Sequence, residues 1–110
     1  MKTSAINFTI ELDDKNIPEK IRWNASDKKE TETTNAIAIS IWDNVKKNTM
    51  RIDLWTNEMS IDEMKRFHID CIGGSAQSLL NATGDTYMSG EINKLCEKLV
   101  EHLKKELPGN

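Results

Sequence analysis

Four side chains have the chemistry to hold a metal ion: His68, Cys71, Cys96 and His102. Imidazole and thiolate are ligands that zinc accepts, and residues 68 and 71 would share one face of a helix. Cys96 and His102, however, are six residues apart and would point about 120° away from each other on a helix. We therefore expect no metal site and interpret both cysteines as packing residues. The alternative, an enzyme centred on His68 and Cys71, predicts a reactive thiol.

The other candidate catalytic groups lack a productive arrangement. Asp13 and Asp14 are adjacent in sequence, as are Asp62 and Glu63, so each pair directs its carboxylates apart rather than towards one substrate atom. The Gly-Gly-Ser segment at 73–75 lacks the preceding strand, the spaced glycines and the lysine of a phosphate-binding loop. We therefore predict no catalytic residues and no cofactor, and we expect that the protein is not an enzyme.

Composition and charge narrow the classes of function. A chain of 110 residues predicts a single domain over residues 1–110. Its net charge of -3 and pI near 5.4 argue against nucleic acid or an anionic membrane as a partner, because such binding relies on clustered Lys and Arg. No apolar run approaches the roughly 20 residues of a membrane span, and the first residues lack the pattern of a signal peptide. We expect a soluble, cytoplasmic protein.

Alternation of apolar and polar residues predicts four β-strands in the first half of the chain. They are expected at residues 4–12, about 21–25, 36–42 and 49–56. The segment 26–34 is entirely polar and is predicted to be a mobile loop. For the apolar faces of the last two strands to coincide, opposing residue numbers must sum to an odd value. Ile39 should therefore face Ile52 or Leu54.

Two helices are predicted in the second half. Ser60 and Glu63 have the spacing of a capping box, and Gly84 supplies a C-terminal stop. The second helix is expected to have Ser89 as its cap and to end at Pro108-Gly109. The first helix carries two stripes. One suits the sheet and contains His68, while the other suits close approach of another helix and comprises Phe67, Cys71, Gly74 and Ser78.

The order ββββαα predicts an α+β fold. We expect one four-stranded antiparallel sheet within residues 4–56, arranged as a meander, with a helical pair at 60–107 packed on one of its faces.

The outer face of the second hairpin is the candidate binding surface. Trp42, Arg51, Asp53 and Trp55 lie opposite the apolar face of these strands. Tryptophan and arginine are enriched in protein–protein binding hot spots, so this face is predicted to bind a protein partner or a second copy of the chain. The alternative is that the polar segment 26–34 or the N-terminal arm covers the two indoles.

Several runs of this sequence resemble the GldC family of gliding-motility-associated proteins. They are Ile-Pro-Glu-Lys-Ile-Arg-Trp-Asn-Ala at 17–25, Trp-Asp at 42–43, Met-Arg-Ile-Asp-Leu-Trp-Thr at 50–56 and Met-Ser-Ile-Asp-Glu-Met-Lys at 59–65. The resemblance covers nearly the whole chain. It implies a soluble accessory protein of the gliding machinery with no assigned catalytic residues, and a component of that machinery as its protein partner.

The predicted order of elements is also similar in outline to that of SecB-type export chaperones. This likeness is one of topology, which does not determine function. It gives a second hypothesis, a chaperone or export adaptor that holds unfolded client proteins.

Overall fold

The computed structural model describes residues 1–106. The chain divides into two compact units, Met1–Met59 and a second that begins at Ser60. The first contains β-strands and the second contains α-helices, which confirms the α+β class. The elements are β1 (Ile6–Leu12), β2 (Pro18–Ala25), β3 (Glu32–Thr34), β4 (Ala36–Asp43), β5 (Asn48–Trp55), α1 (Ile61–Thr83) and α2 (Thr86–Glu106). The single domain and the packing of the helices on the sheet stay predictions.

The prediction of one four-stranded sheet is wrong. The strands form a three-stranded antiparallel sheet, in the order β1-β2-β3, and a separate two-stranded sheet, β4-β5. The additional strand comes from the segment 26–34, where Thr33 lies opposite Arg22 and Thr34 opposite Ile21. Threonine suits a β-strand, and the hydrogen bonds of a ladder join backbone groups, so a segment without apolar side chains can still pair.

The three-stranded sheet has one apolar face and a small buried centre. Phe8 lies opposite Trp23, and Ile10 opposite Ile21, so the apolar side chains of β1 and β2 share a face. Ile21, on the central strand, has no exposed surface. The turn between these strands is held by Asp13, whose carboxylate accepts hydrogen bonds from two backbone N–H groups within the turn, at 2.8 and 2.9 Å.

Asn35 separates β3 from β4 and connects to the end of β5. The backbone N–H of Thr56 donates to the carbonyl of Asn35 at 2.9 Å, and the Thr56 hydroxyl donates to the Asn35 side-chain oxygen at 3.2 Å. Thr56 is buried. A buried hydroxyl is unfavourable without a partner, so the bond to Asn35 stabilises Thr56 in this position. The two bonds join the chain segments at the end of the two-stranded sheet where Ala36 lies opposite Trp55.

The register of β4 and β5 is as the sequence predicts. Ile39 faces Ile52, and Ile37 faces Leu54. In each pair the two residue numbers add up to an odd value, as predicted, so the apolar side chains of the two strands share one face. The connecting turn contains Lys47 with a positive φ of 57°, and the Asp43 carboxylate accepts two backbone N–H groups of the turn, both at 2.9 Å.

Helix α1 begins and ends at the predicted signals. The Glu63 backbone N–H donates to the Ser60 hydroxyl at 3.1 Å, and the Ser60 N–H donates to the Glu63 carboxylate at 3.3 Å, which confirms the capping box. Gly84 follows the last turn with φ 72° and donates its N–H to the Leu80 carbonyl at 2.8 Å. The helix continues through Gly73 and Gly74 without a break.

The seam between α1 and α2 differs from the prediction. A Cβ placed on Gly73 would lie 3.9 Å from Cys96 Sγ, whereas one on Gly74 would meet nothing within 4 Å. Gly73, rather than the predicted Gly74, is therefore the glycine that faces the second helix. Successive helical residues point about 100° apart, so neighbouring glycines cannot both lie on the seam.

The predicted cap of α2 is also wrong. The Met88 backbone N–H donates to the Asp85 carboxylate at 2.9 Å, which makes Asp85 the capping residue. Ser89 lies inside the helix and is buried. The predicted end at Pro108-Gly109, with Leu107 before it, lies outside the described residues.

Candidate functional site

The register of the two-stranded sheet places all four predicted contact residues on one face. Ser40 lies opposite Arg51, Ala38 opposite Asp53, Ala36 opposite Trp55 and Trp42 opposite Thr49. Since side chains of directly opposed residues project to the same side of a sheet, these pairs define a single surface. We call it the Trp face, defined by Trp42, Arg51, Asp53 and Trp55.

Both indoles of the Trp face are accessible. Trp42 is 56% exposed and Trp55 is 51% exposed. Residues Glu32–Thr34 of the polar segment, the alternative cover for the two indoles, pair with β2 instead. Two half-exposed tryptophans on one small sheet are unusual for a surface that only meets water.

A charged pair lies between the two tryptophans along the sheet. Arg51 donates to Asp53 through Nη2 at 2.8 Å and through Nε at 3.2 Å. The residues are two apart on one strand, so their side chains project to the same side. A two-point Arg–carboxylate contact holds both groups in a defined geometry. The Trp face therefore presents fixed polar groups between two large apolar ones.

One end of the Trp face borders a shallow groove of about 210 Å³. Its walls include Asp53 and Trp55 from β5, Pro18 at the start of β2 and Ile17 just before it. Residues 17 and 18 are not among the contact residues that the sequence predicts. They lie far from β5 in sequence, and the strand pattern alone carries no signal that brings β2 near β5.

The alternative candidates do not assemble into a site. Among residues 1–106, no three or more His, Cys, Asp or Glu side chains are placed to share a metal ion. Cys71 and Cys96 are both unpaired thiols of intermediate burial. His68, expected to pack within the apolar stripe, is exposed, with its ring centre 5.7 Å from that of Phe67. His102 is exposed and its Nε2 lies 2.6 Å from Glu106 Oε1.

The fold and the candidate site define a small α+β protein with an exposed aromatic sheet face. A family model described as gliding motility-associated protein GldC-like matches residues 18–105. The chain belongs to this family, as the sequence resemblance indicated. No curated protein and no solved structure gives a significant match. Within the described part of the chain, neither helix combines the length and the apolar character needed to cross a membrane.

Proposed function

We propose that this protein is a non-enzymatic, cytoplasmic accessory protein of bacterial gliding motility, and that it acts through protein–protein contact at the Trp face. Membership of the GldC-like family supports the link to motility. The observation that carries the contact role is the shared face of Trp42, Arg51, Asp53 and Trp55, with both indoles half exposed.

The chemistry of this face suits a protein partner. Burying an exposed indole removes a large apolar area from water, and tryptophans are prominent among residues whose loss costs 2 kcal/mol or more in binding. The mutual contact of Arg51 and Asp53 holds a guanidinium and a carboxylate at fixed positions on the Trp face, so a partner with a complementary charge pattern is favoured over one without it. The groove beside Trp55, with walls from Ile17 and Pro18, can accept an apolar side chain of the partner.

The test uses a photo-reactive amino acid at position 49 of the full chain, expressed in the native gliding cells. Thr49 lies opposite Trp42 on the Trp face, so a bound partner would be within reach of the probe. Trp42→Ser and Trp55→Ser are combined with the probe, and gliding speed and cellular protein level are measured in parallel. Tyr87→Ser is the matched control, because Tyr87 is an exposed aromatic residue on α2.

We expect one or a few cross-linked motility components, lost in both tryptophan variants and retained with Tyr87→Ser. Gliding should slow in the tryptophan variants at unchanged protein level. Cross-links and motility that survive both substitutions would overturn the contact role of the Trp face. A broad set of unfolded client chains, together with suppression of aggregation of unrelated substrates by the purified protein, would instead identify a holdase chaperone.

A further inference from the structure

Strand β1 leaves one edge of the three-stranded sheet unpaired. It pairs with β2 alone in the described chain, and three of its four apolar side chains are exposed: Ile6 is 64%, Phe8 40% and Leu12 51% exposed, while Ile10 is half buried. Native proteins protect such edges with proline, lysine, bulges or very short strands. Between Ile6 and Glu11 the strand contains no proline, lysine or bulge, so this edge is available for another strand.

Other strands of the same unit are less suitable. The N-terminal half of β4 is buried or half buried. One end of β5 borders the groove that Ile17 and Pro18 also line, and the strand carries two charged side chains, Arg51 and Asp53, which protect a sheet edge. β3 has three residues. β1 therefore combines length, exposure and lack of protection.

The backbone groups available on this edge follow from the pairing with β2. The Ser26 N–H donates to the Ala5 carbonyl at 3.0 Å, in register with the ladder that places Ile6 opposite Ala25. Hydrogen-bonded pairs alternate along an antiparallel ladder. The odd-numbered residues of β1 therefore bond to β2, and Ile6, Phe8 and Ile10 direct their backbone N–H and C=O groups outwards.

We infer that β1 is a pairing edge for a second copy of this chain, with the two β1 strands antiparallel about Thr9. In this register Ile6 faces Leu12, and Phe8 faces Ile10, of the other copy. The outward backbone groups of each strand then meet those of the other, and the apolar faces of the two sheets are continuous.

The polar side of the pairing is also compatible. Asn7 would face Glu11 of the other copy, and the two Thr9 side chains would face each other. No like charges are opposed, which is a requirement for a stable cross-strand pair. A twofold axis at Thr9 makes the contact isologous and closed, so it ends at a dimer rather than continuing into a fibre.

Cross-linking tests the register directly. In the proposed dimer the two Thr9 residues face each other on the twofold axis as a non-hydrogen-bonded pair. The Cα atoms of such a pair are about 4.5 Å apart, which is within the range that a disulfide spans. Thr9→Cys is compared with Thr33→Cys in full chains that also carry Cys71→Ala and Cys96→Ala. Residues 9 and 33 are both exposed and both lie opposite Arg22, so Thr33→Cys is a matched control.

We expect Thr9→Cys to form a disulfide-linked dimer under mild oxidation and Thr33→Cys to stay largely monomeric. Circular dichroism of both variants checks that each is folded. Equal cross-linking of the two variants, or none in Thr9→Cys, would overturn the inference. Strand addition buries little area, so the dimer is expected to be weak and its mass is measured at about 200 μM. Sedimentation of the unmodified chain as a monomer at that concentration would also overturn the inference.

Charge substitutions at Asn7 give an independent readout of the same register. In the Asn7→Lys variant each lysine would attract Glu11 of the other copy, which gives two attractive pairs per dimer. In the Asn7→Glu variant each glutamate would repel that Glu11. Both variants lose the same hydrogen bond to Asn24 within the chain. We expect the dimer dissociation constant to fall about two- to tenfold with lysine and to rise by a similar factor with glutamate. Identical constants for the two variants would contradict the register. Trp42→Ser should not alter dimerisation, so this inference and the proposed function fail separately.

Discussion

The hydroxyl of Ser89 donates a hydrogen bond of 3.0 Å to the backbone carbonyl of Ala76, and both residues are buried between α1 and α2. Such a bond joins the two helices at a point where no large side chain intervenes. Serine at this position supplies both a small volume and a donor. A buried hydroxyl with a partner contributes about 1 kcal/mol, whereas one without a partner is unfavourable.

Ser89→Ala should therefore destabilise the helical hairpin. The lost hydrogen bond costs about 1 kcal/mol, but alanine regains about 0.5 kcal/mol of helix propensity. Ser78→Ala is the control, because Ser78 is exposed on α1 and its replacement gains propensity alone. Urea unfolding followed at 222 nm should show Ser89→Ala less stable than Ser78→Ala by about 1 kcal/mol. Equal stabilities would show that the buried bond makes no net contribution.

The capping box at the start of α1 makes a second prediction. Ser60→Ala removes the acceptor of the Glu63 N–H and should lower the free energy of unfolding by about 1 kcal/mol. Glu63→Gln keeps a side-chain oxygen that can accept from the Ser60 N–H, so it should cost less. Amide hydrogen exchange in the first turn of α1 would check the order. Equal exchange rates in the two variants would contradict it.

Two kinds of feature could be predicted from the sequence: those that depend on a few neighbouring residues, and those that depend on the alternation of apolar and polar residues along a strand. The capping box needs only residues 60 and 63, and the register of β4 and β5 follows from the parity of two apolar faces. The Trp face follows from the same parity. Strand β3 could not be predicted, because its pairing depends on backbone groups that are distant in sequence and not on its own apolar pattern.

The helix seam and the groove were missed for a related reason. Helix α1 carries two stripes of apolar or small side chains, and the sequence does not show which of them contacts α2. In the structure the close approach is at Gly73 rather than Gly74. The groove beside Trp55 requires β2 and β5 to be near each other, which is a tertiary relationship between Pro18 and β5. Neither the helix contact at Gly73 nor the groove can be predicted from a short stretch of sequence, because each depends on residues that are distant along the chain.

The two kinds of glycine in the helical unit give opposite predictions. Gly74 lies within α1 with open space where a Cβ would be, so Gly74→Ala should stabilise the chain by about 0.5–1 kcal/mol. Gly84 has φ 72°, where a Cβ is unfavourable, so Gly84→Ala should destabilise it by about 1–2 kcal/mol. Thermal unfolding of both variants against the parent chain measures the signs. Shifts of the same sign would contradict the assigned backbone conformations.

A cluster near the end of α2 links the two helices electrostatically. Lys65 Nζ on α1 lies 2.5 Å from Glu106 Oε2, and His102 Nε2 lies 2.6 Å from Glu106 Oε1. The hydrogen bond from Lys65 is the main cause that holds the pKa of Glu106 below its ordinary value of 4.5, against an opposing desolvation effect. The positive charge of Lys65 and the neighbouring His102 lower this pKa further.

Because the pKa of Glu106 is lowered by folding, its carboxylate should stabilise the folded chain at pH values above 4.5 and lose that effect as pH falls through the lowered pKa. Lys65→Met should raise the titration midpoint of the Glu106 carboxyl carbon, measured by NMR, and flatten the loss of stability at acidic pH. Lys94→Met is the matched control, since Lys94 pairs with Glu91 on the same unit. A Glu106 midpoint that moves equally in both variants, or in neither, would contradict the assigned cause. Added salt should shrink the difference between the parent chain and Lys65→Met, because the pair is solvent-exposed and its attraction is screened.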